Sequence, residues 1–238
     1  ETSRQVAPRN NGEIIHTLEF LNDDGEPHFS FDLPQNLSHQ IVLLLKTQLR
    51  SLLMAAPSSS SSSSSRNCLY DVFPSFRGED VRVTFLSHFL KELERKMITA
   101  FKDSEIEKSG SLDPELRKAI KDSSIAVVIF SRNYASSSWC LNELLEIVNC
   151  MEEFGQIVIP VFYGVDPSHV RKQTGDFGKI FEETCLKITE EVKIQWKEAL
   201  TNVANLLGYH HSVTWGNEAT MIEAIANDLL SKLLLTPS

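Results

Sequence analysis

The sequence IAVVIFSRNYASSSWCLNELLEIV, residues 125–148, joins a short apolar run to a helical repeat through a polar loop. Residues 125–130 are almost continuously hydrophobic, as expected for a strand that helices cover on both faces. The apolar residues that then recur on one helical face are Leu141, Leu144, Leu145 and Val148. A buried strand followed by an amphipathic helix is typical of α/β folds with a parallel sheet.

The same alternation of β-rich runs and helical repeats extends along the chain after Arg66. It predicts five strands, at residues 69–76, 98–101, 125–130, 157–163 and 212–215. Core-facing helices are predicted around Phe85, Phe89 and Leu93, over residues 194–207 and over residues 217–233. The predicted fold class is α/β, a flavodoxin-like five-stranded parallel sheet in the order 2-1-3-4-5, flanked by helices.

Eight consecutive serines, residues 58–65, interrupt the chain before this domain. Such a segment buries too little apolar surface to offset its ordering entropy, so we predict a flexible N-terminal extension (1–53), a serine-rich linker (54–65) and one domain (66–238) that includes the terminal helix. A strand or hairpin is predicted within residues 18–31 and an apolar helix within residues 37–53. Met54 followed by Ala-Ala-Pro looks like an ordinary protein start, so we expect residues 1–53 to derive from upstream coding sequence and assign them no function.

Composition excludes several classes of protein. A hydrophobic content of 42% suits a globular core, and the chain has no apolar run of the roughly 18 residues that a membrane-spanning helix needs. A net charge of −9 argues against nucleic-acid binding through a global positive field, although a local basic patch stays open.

Because the four cysteines are widely spaced and lack a zinc-ligand pattern, we expect reduced thiols, no metal site and a cytoplasmic location, with the nucleus as a second candidate. Cys140, in the first helical turn, could have thiolate character, but without a positioned base we interpret it as a small buried side chain.

Glu143 is the candidate chemical group. It lies near the start of a helix that follows a buried strand, and ligands of open α/β sheets bind at the carboxyl ends of the strands and at helix N-termini. The sequence therefore places an anionic site at the loops that follow Phe76, Lys102 and Phe130.

Three ordered segments of the domain resemble the signature boxes of plant Toll/interleukin-1 receptor (TIR) domains. They are YDVFPSFRGEDVR at residues 70–82, WCLNEL at residues 139–144, and IPVFYGVDPSHVR with QTG at residues 159–175. The resemblance covers roughly residues 66–233, and the end LTPS is similar to the linker that leads into the nucleotide-binding domain of plant immune receptors. The chain has no Walker A pattern. We therefore expect either the TIR portion of a larger receptor or a TIR-only protein.

The resemblance implies cleavage of the nicotinamide–ribose bond of NAD, with Glu143 as the catalytic carboxylate, NAD as the substrate and no cofactor. A carboxylate can stabilise the oxocarbenium character that develops on the ribose, and nicotinamide leaves as a neutral molecule without a second carboxylic acid. The alternative is that Glu143 merely favours the positive end of its helix, an effect of about 0.3–1 kcal/mol.

The resemblance also implies substrate-binding roles for four positions, Arg77, Gly78, Ser131 and Trp139. Arg77 and Gly78 follow the first strand and could meet a phosphate, or they could form a tight loop with a solvated arginine. Ser131 could bind a ribose or diphosphate, and Trp139 could stack on a nicotinamide or adenine ring. A helix cap and a core aromatic are the respective alternatives.

A loop and two surfaces complete the implied assembly. In the family, the loop that contains Lys108, Ser109 and Gly110 covers the active site of a neighbouring subunit. Here the three residues replace a common Arg-Gly pair, and Met97 replaces a frequent glycine.

Ser87 and His88 match one self-association face, with a plain surface histidine as the alternative. Gly208 matches a second face, with a helix C-cap as the alternative.

The function predicted from the resemblance is an NAD nucleosidase that self-association activates in plant innate immunity and cell-death signalling. Its products would be nicotinamide and ADP-ribose-type nucleotides, and its partners other TIR domains or the rest of an immune receptor. The alternative is a non-catalytic module for homotypic TIR contacts. A third hypothesis, processing of nucleotides derived from nucleic acid by an assembled filament, fits poorly with the acidic charge.

Overall fold

The computed structural model describes residues 15–21, 27–34, 68–102, 113–211 and 217–235. The chain divides into two compact units, Glu1–Ser63 and Ser64–Ser238. In the first unit, β1 (Ile15–Leu21) pairs antiparallel with β2 (Pro27–Pro34), and Leu18 stands opposite Phe31. This is the hairpin predicted within residues 18–31. The predicted helix at residues 37–53 and the linker at residues 54–65 lie outside the described residues.

The second unit is built on a parallel sheet. Its strands are β3 (Tyr70–Phe76), β4 (Ser123–Phe130), β5 (Ile157–Phe162) and β6 (Tyr209–His210), in the order β3-β4-β5-β6. The predicted second strand, residues 98–101, is wrong as a full strand, because it is reduced to one parallel bridge between Ala100 and Val72. This bridge lies on the side of β3 that faces away from β4. The predicted order 2-1-3-4-5 is therefore kept, with the second position shortened to a bridge.

A side chain replaces part of the missing strand pairing at this edge. The buried Asp71 carboxylate accepts hydrogen bonds from the backbone N–H and from the hydroxyl of Thr99, both at 2.8 Å on Oδ2. A buried carboxylate needs such donors, so Asp71 anchors the segment after the first helical region to β3. The segment at residues 98–101 is therefore held against β3 by the side chains of Asp71 and Thr99 as well as by its backbone.

The last strand that the structure describes lies just before the predicted one. The prediction placed it at residues 212–215, which lie outside the described residues, whereas β6 is Tyr209–His210 and pairs with Val161 and Phe162. The absence of a side chain at Gly208 allows the chain before β6 to lie close to β5, since a Cβ there would lie 2.2 Å from the carbonyl oxygen of Pro160.

Helices and helical turns cover the sheet. They are α1 (Gly78–Val81), a π-helical segment (Arg82–Leu86), α2 (Ser87–Arg95), α3 (Pro114–Lys121), a 3-10 turn (Tyr134–Ser136), α4 (Ser138–Phe154), α5 (Pro167–Lys172), α6 (Gly175–Cys185), α7 (Glu190–Ala204) and α8 (Glu218–Leu235). Of the described helices, none combines the length and the apolar character required to cross a bilayer.

The apolar run of β4 is explained by two separate cores. Its even-numbered residues from Ala126 to Phe130 belong to a cluster with α3, α4, α6 and α7. Its odd-numbered residues from Ile125 to Ile129 belong to a second cluster with α2 and α8. Since successive side chains of a strand point to opposite faces, a strand between two helical layers is apolar at every position.

The end of α2 contains a strained residue. Ile98 N–H donates to Leu93 O and Met97 N–H donates to Glu94 O, the two bonds of a Schellman motif. Its left-handed position is occupied by Met97, with φ 57° and a half-exposed side chain. Glycine adopts this conformation without the steric cost that a Cβ imposes.

We expect Met97→Gly to raise the free energy of unfolding by about 1 kcal/mol, because relief of the left-handed strain exceeds the extra chain entropy of glycine. Urea unfolding of the domain measures the change. Met97→Ala is the matched control, since it shortens the side chain but keeps the Cβ and should give no comparable gain. A Met97→Gly domain no more stable than the original chain would contradict this interpretation.

Candidate active site

Glu143 is held at the point where β3, β4 and α4 converge. Helix α4 begins after Ser137, whose side chain accepts a hydrogen bond from the Cys140 N–H, and this cap sets the direction of the first turns. Glu143 in the second turn accepts hydrogen bonds from Trp139 Nε1 at 2.6 Å and from Ser75 Oγ at 2.8 Å. Its side chain is only 5% exposed. Each carboxylate oxygen therefore has its own donor from the protein.

A buried tyrosine extends this network. Tyr134 Oη lies 2.9 Å from Ser75 Oγ and donates to the carbonyl oxygen of Cys140 at 3.1 Å. Burial, together with the adjacent Cys140 and Glu143, raises the pKa of the Tyr134 phenol well above its ordinary value. The phenol consequently stays protonated at neutral pH and acts as a hydrogen-bond donor.

A second polar group lies at the same carboxyl edge of the sheet. Asp80 in α1 accepts hydrogen bonds from the backbone N–H of Asn133 at 2.8 Å and from its side-chain amide at 2.9 Å. Burial alone would raise the pKa of Asp80, but the nearby Ser131 hydroxyl, the Asn133 amides and the charge of Arg77 hold it below its ordinary value. Asp80 thus ties α1 to the loop that follows β4.

Two predicted ligand-binding residues carry buried polar atoms in this region. Arg77 Nη2 pairs with Glu79 at 2.8 Å, while Arg77 Nε is buried and has no hydrogen-bond partner among the described residues. The buried hydroxyl of Ser131 likewise makes no hydrogen bond of good geometry in the described ranges. A buried polar atom without a partner is rare in native proteins and calls for a partner such as water or a ligand.

Gly78 and Trp139 have contacts within the fold, and their roles in substrate binding stay predictions. A Cβ at Gly78 would lie 3.1 Å from Arg82 Nε, so the glycine leaves space for the Arg82 side chain. Trp139 is 5% exposed and belongs to the core cluster. Trp139 packs in the core with its indole N–H directed at Glu143, and a contact with a nicotinamide or adenine ring stays a prediction.

The predicted active-site loop, Lys108, Ser109 and Gly110, lies outside the described residues. The residues predicted for self-association are on the described surface. Ser87 donates to the carbonyl oxygens of Val83 and Thr84. The His88 side chain is 68% exposed, with Nδ1 3.7 Å from Glu218 Oε1 at the start of α8.

Gly208 is exposed and is not a helix C-cap. Helix α7 ends at Ala204, where Asn205 takes the cap position in a right-handed conformation. The contact with Pro160 gives Gly208 a role within the fold and leaves its predicted role in self-association untested.

Sequence reasoning missed Ser75, Tyr134, Asp80 and Asn133. Ser75 did carry a signal, because it is a small polar residue inside the apolar end of β3. The other three residues lie on short irregular or helical segments where no periodic pattern marks a buried polar group. Within the described part of the chain, no group of three or more His, Cys, Asp or Glu side chains is placed to share a metal ion.

Comparison with known proteins places this geometry in a family. The model of the TIR domain matches residues 69–238. The chain is 72% identical over 174 residues to the disease resistance protein RPS6 of Arabidopsis thaliana, and 55% identical over 174 residues to the disease resistance protein TAO1 of the same plant; each alignment covers 73% of this chain. This chain spans only 15% of the length of either relative.

A solved structure supports the same assignment. The TIR domains of the activated Roq1 resistosome, a complex that directly recognises the pathogen effector XopQ, match with a TM-score of 0.62 and 46% identity. The match covers 67% of this chain and 98% of that chain. The fold is therefore a TIR fold over nearly the whole length of that domain.

The hydrogen bonds of Asp80 predict a pH-dependent contribution to stability. Because the pKa of Asp80 is lowered from 3.8 in the fold, its stabilisation is fully present above that value and is lost as the pH falls below it. We expect Asp80→Asn to lower the free energy of unfolding at pH 7, and the difference from the original chain to shrink as the pH falls below 3.8. Urea unfolding at several pH values measures this difference.

Asp176→Asn is the matched control, because the ion pairs of Asp176 within the described residues, with Arg132 and Lys179, are exposed. Exposed pairs of this kind contribute at most about 1 kcal/mol. An Asp80→Asn effect that stays constant with pH would contradict the assigned role of the carboxylate.

Proposed function

The chain belongs to the TIR domain family, and from this premise we propose that it is an NAD nucleosidase in plant innate immunity. The reaction cleaves the bond between nicotinamide and ribose. Nicotinamide leaves with the bonding electron pair, and the ribose carbon takes up water or a nucleophile of the same nucleotide, which gives an ADP-ribose-type product. Plant immunity as the setting is supported by the similarity to disease resistance proteins of Arabidopsis thaliana. The reaction itself is proposed from the chemistry of Glu143.

The observation that carries the proposal is the carboxylate of Glu143 between two neutral donors. The indole N–H of Trp139 and the hydroxyl of Ser75 orient it without adding a positive charge of their own. An ionised carboxylate has about four acceptor sites, and ribose hydroxyls are donors of the kind that it binds. Its negative charge is suited to the positive charge that develops on ribose as the N-glycosidic bond breaks.

Arg77 and Ser131 are proposed as the groups that hold the rest of NAD. Both lie at the carboxyl edge of the sheet. Arg77 Nε is buried without a partner in the described residues, and the buried Ser131 hydroxyl, which lies near Asp80, makes no hydrogen bond of good geometry there. A guanidinium suits a diphosphate, and a hydroxyl suits a ribose or phosphate oxygen. Trp139 has a different proposed role from ring stacking, because its indole is buried and orients Glu143.

Self-association is proposed to control the reaction. The similar Roq1 domains were solved within an activated resistosome, which is an assembly of that protein. For this chain, Ser87 and His88 on α2 and Gly208 before β6 are the proposed contact residues, and the loop with Lys108, Ser109 and Gly110 is proposed to complete a neighbouring site. A receptor that brings TIR domains together would raise their effective concentration.

The relatives suggest what surrounds this domain. Because the chain spans 15% of their length, the rest of an immune receptor is a proposed partner, with the cytoplasm and the nucleus as proposed locations. The domain boundaries at residues 53, 65 and 66 remain proposals, and residues 1–53 have no assigned function.

One observation favours a second candidate, a non-catalytic interaction module. Both oxygens of Glu143 are already hydrogen-bonded and the side chain is almost fully buried. A carboxylate with a purely structural role would show the same contacts. The two candidates differ in what a substitution at Glu143 does to NAD.

We expect Glu143→Gln to lower the rate of nicotinamide release from NAD by a factor on the order of 10²–10³, because it removes the charge that stabilises the transition state. The rate is measured with concentrated protein, and circular dichroism checks the fold. Glu146→Gln is the matched control, since Glu146 is a buried glutamate one turn further along α4 that pairs with Arg117 and Lys121.

The Glu146→Gln control should keep its rate of nicotinamide release even if its free energy of unfolding falls. Unchanged nicotinamide release by a folded Glu143→Gln domain would support the interaction module and rule out the proposed nucleosidase site.

Self-association predicts that turnover per molecule falls on dilution. We expect His88→Ala to lower association and nicotinamide release together while the fold is kept, because His88 is exposed and Phe85, Phe89 and Leu93 form the buried face. Light scattering and nicotinamide release across one concentration series measure both quantities.

His169→Ala is the matched control, because His169 is an exposed histidine on α5. Turnover that stays constant down to monomeric concentrations, or full turnover by His88→Ala, would show that each subunit works alone.

A further inference from the structure

Ser75 is a fully buried hydroxyl at the carboxyl end of β3, between the core residues Phe73 and Phe76. It contacts Glu143 Oε2 at 2.8 Å and Tyr134 Oη at 2.9 Å. We propose that Ser75 and Tyr134 are positioning residues for Glu143, with Tyr134 acting through Ser75. This inference rests on the proposed nucleosidase function of Glu143.

The number of available protons gives the network a direction. Ser75 has one hydroxyl proton and Tyr134 has one phenolic proton, whereas an ionised carboxylate only accepts. The Ser75 proton is donated to Glu143, so the contact between Ser75 and Tyr134 requires the phenol to be the donor. The carbonyl oxygen of Cys140 competes for the same phenolic proton at 3.1 Å. The phenolic proton is therefore shared between Ser75 Oγ at 2.9 Å and the carbonyl oxygen of Cys140 at 3.1 Å, and the first of these contacts links Tyr134 through Ser75 to Glu143.

This direction matters for the orientation of the carboxylate. The last torsion of a glutamate side chain has a broad energy profile, so one donor alone does not fix the plane of the carboxylate. Trp139 holds Oε1 and Ser75 holds Oε2, and two donors on different oxygens do fix that plane. Hydrogen bonds in a chain polarise one another, so the phenol also strengthens the bond from Ser75 to Glu143.

Three separate parts of the fold supply the network. Ser75 belongs to β3, Tyr134 to the 3-10 turn after β4, and Glu143 to α4. The contacts therefore set the position of α4 against the ends of two strands. A catalytic group needs placement within roughly 0.5 Å, which packing of one helix alone rarely provides.

Other buried residues of the same types have different partners. Ser123 in β4 donates to the carbonyl oxygen of Ala119 at 2.7 Å, and Trp196 donates to the side chain of Asn142 at 3.0 Å. Those acceptors are neutral and belong to the packing of the core. Ser75 and Trp139 instead donate to the carboxylate proposed for catalysis. This difference makes Ser123 a matched control for Ser75.

Tyr134 and Cys140 are titratable side chains close to Glu143 in the described residues. Tyr134 stays protonated, and the Cys140 thiol lies 3.4 Å from the carbonyl oxygen of Phe76, to which it can donate. Loss of the Ser75 hydroxyl would remove a donor that favours the ionised carboxylate. The acid limb of the pH–rate profile should then move to higher pH.

The test compares nicotinamide release by Ser75→Ala, Tyr134→Phe, the double variant and Ser123→Ala. We expect kcat to fall about tenfold in Ser75→Ala and by a smaller factor in Tyr134→Phe, with KM nearly unchanged, because both side chains are fully buried and are proposed to act through Glu143. The double variant should be no slower than Ser75→Ala, since Tyr134 acts through Ser75. Ser123→Ala should keep both kcat and the pH profile.

A second measurement does not depend on turnover. The carboxylate signal of Glu143 in carbon-13-labelled protein should titrate at higher pH in Ser75→Ala and, to a smaller extent, in Tyr134→Phe, which preserves the ring packing. If Ser75→Ala does not fold, the Tyr134→Phe variant supplies the same comparison with the smaller effect.

The outcomes separate the two claims. Wild-type kcat and an unmoved acid limb in Ser75→Ala, alongside an inactive Glu143→Gln, would overturn the positioning role and leave the proposed function in place. Full additivity in the double variant would overturn the path through Ser75. If the original chain releases no nicotinamide, the proposed function fails, and an unchanged Glu143 signal in Ser75→Ala would then overturn the positioning role as well.

Discussion

The hydrogen bonds from Trp139 and Ser75 to the buried carboxylate of Glu143 are the constraint on which the rest of the site depends. Burying a charge without partners is costly, so the fold must supply donors at this point. Supplying them requires the end of β3 to meet the second turn of α4. The N-cap at Ser137, the phenol of Tyr134 and the apolar core under α4 all help to hold α4 in this position.

The proposed chemistry follows from how the two buried glutamates of α4 differ. Glu146 is paired with Arg117 and Lys121, whereas Glu143 is held by an indole and a hydroxyl. The two named donors of Glu143 are neutral, whereas Glu146 lies close to two cations. A negative charge at Glu143 suits the positive centre that is proposed to develop during the reaction. The same helix therefore carries a structural glutamate and a candidate catalytic one.

Sequence predicted the layers of this fold better than its edges. The apolar runs of β4 and β5 predicted a sheet covered on both faces, because burial on two sides leaves little choice of residue. At the edges, individual contacts decide the outcome. Asp71 with Thr99 holds a segment that forms only a bridge, and Gly208 beside Pro160 allows β6 to form at Tyr209.

The candidate site was likewise predicted only in part from the sequence. Glu143 and Trp139 were found from their motif, but the use of the Trp139 indole as a donor depends on the helical spacing and on burial together. Ser75 and Tyr134 are far apart in the chain and meet only in the folded domain. No local pattern of residues marks such a contact.

The most direct test of the central claim is a crystal structure of the assembled domain with carba-NAD, in which a methylene group replaces the ring oxygen of the nicotinamide ribose and prevents cleavage. The account predicts a hydroxyl of that ribose within hydrogen-bond distance of a Glu143 oxygen, with Ser75 still donating to the carboxylate. A ligand bound elsewhere, or a bound ribose that leaves Glu143 without contact, would contradict it.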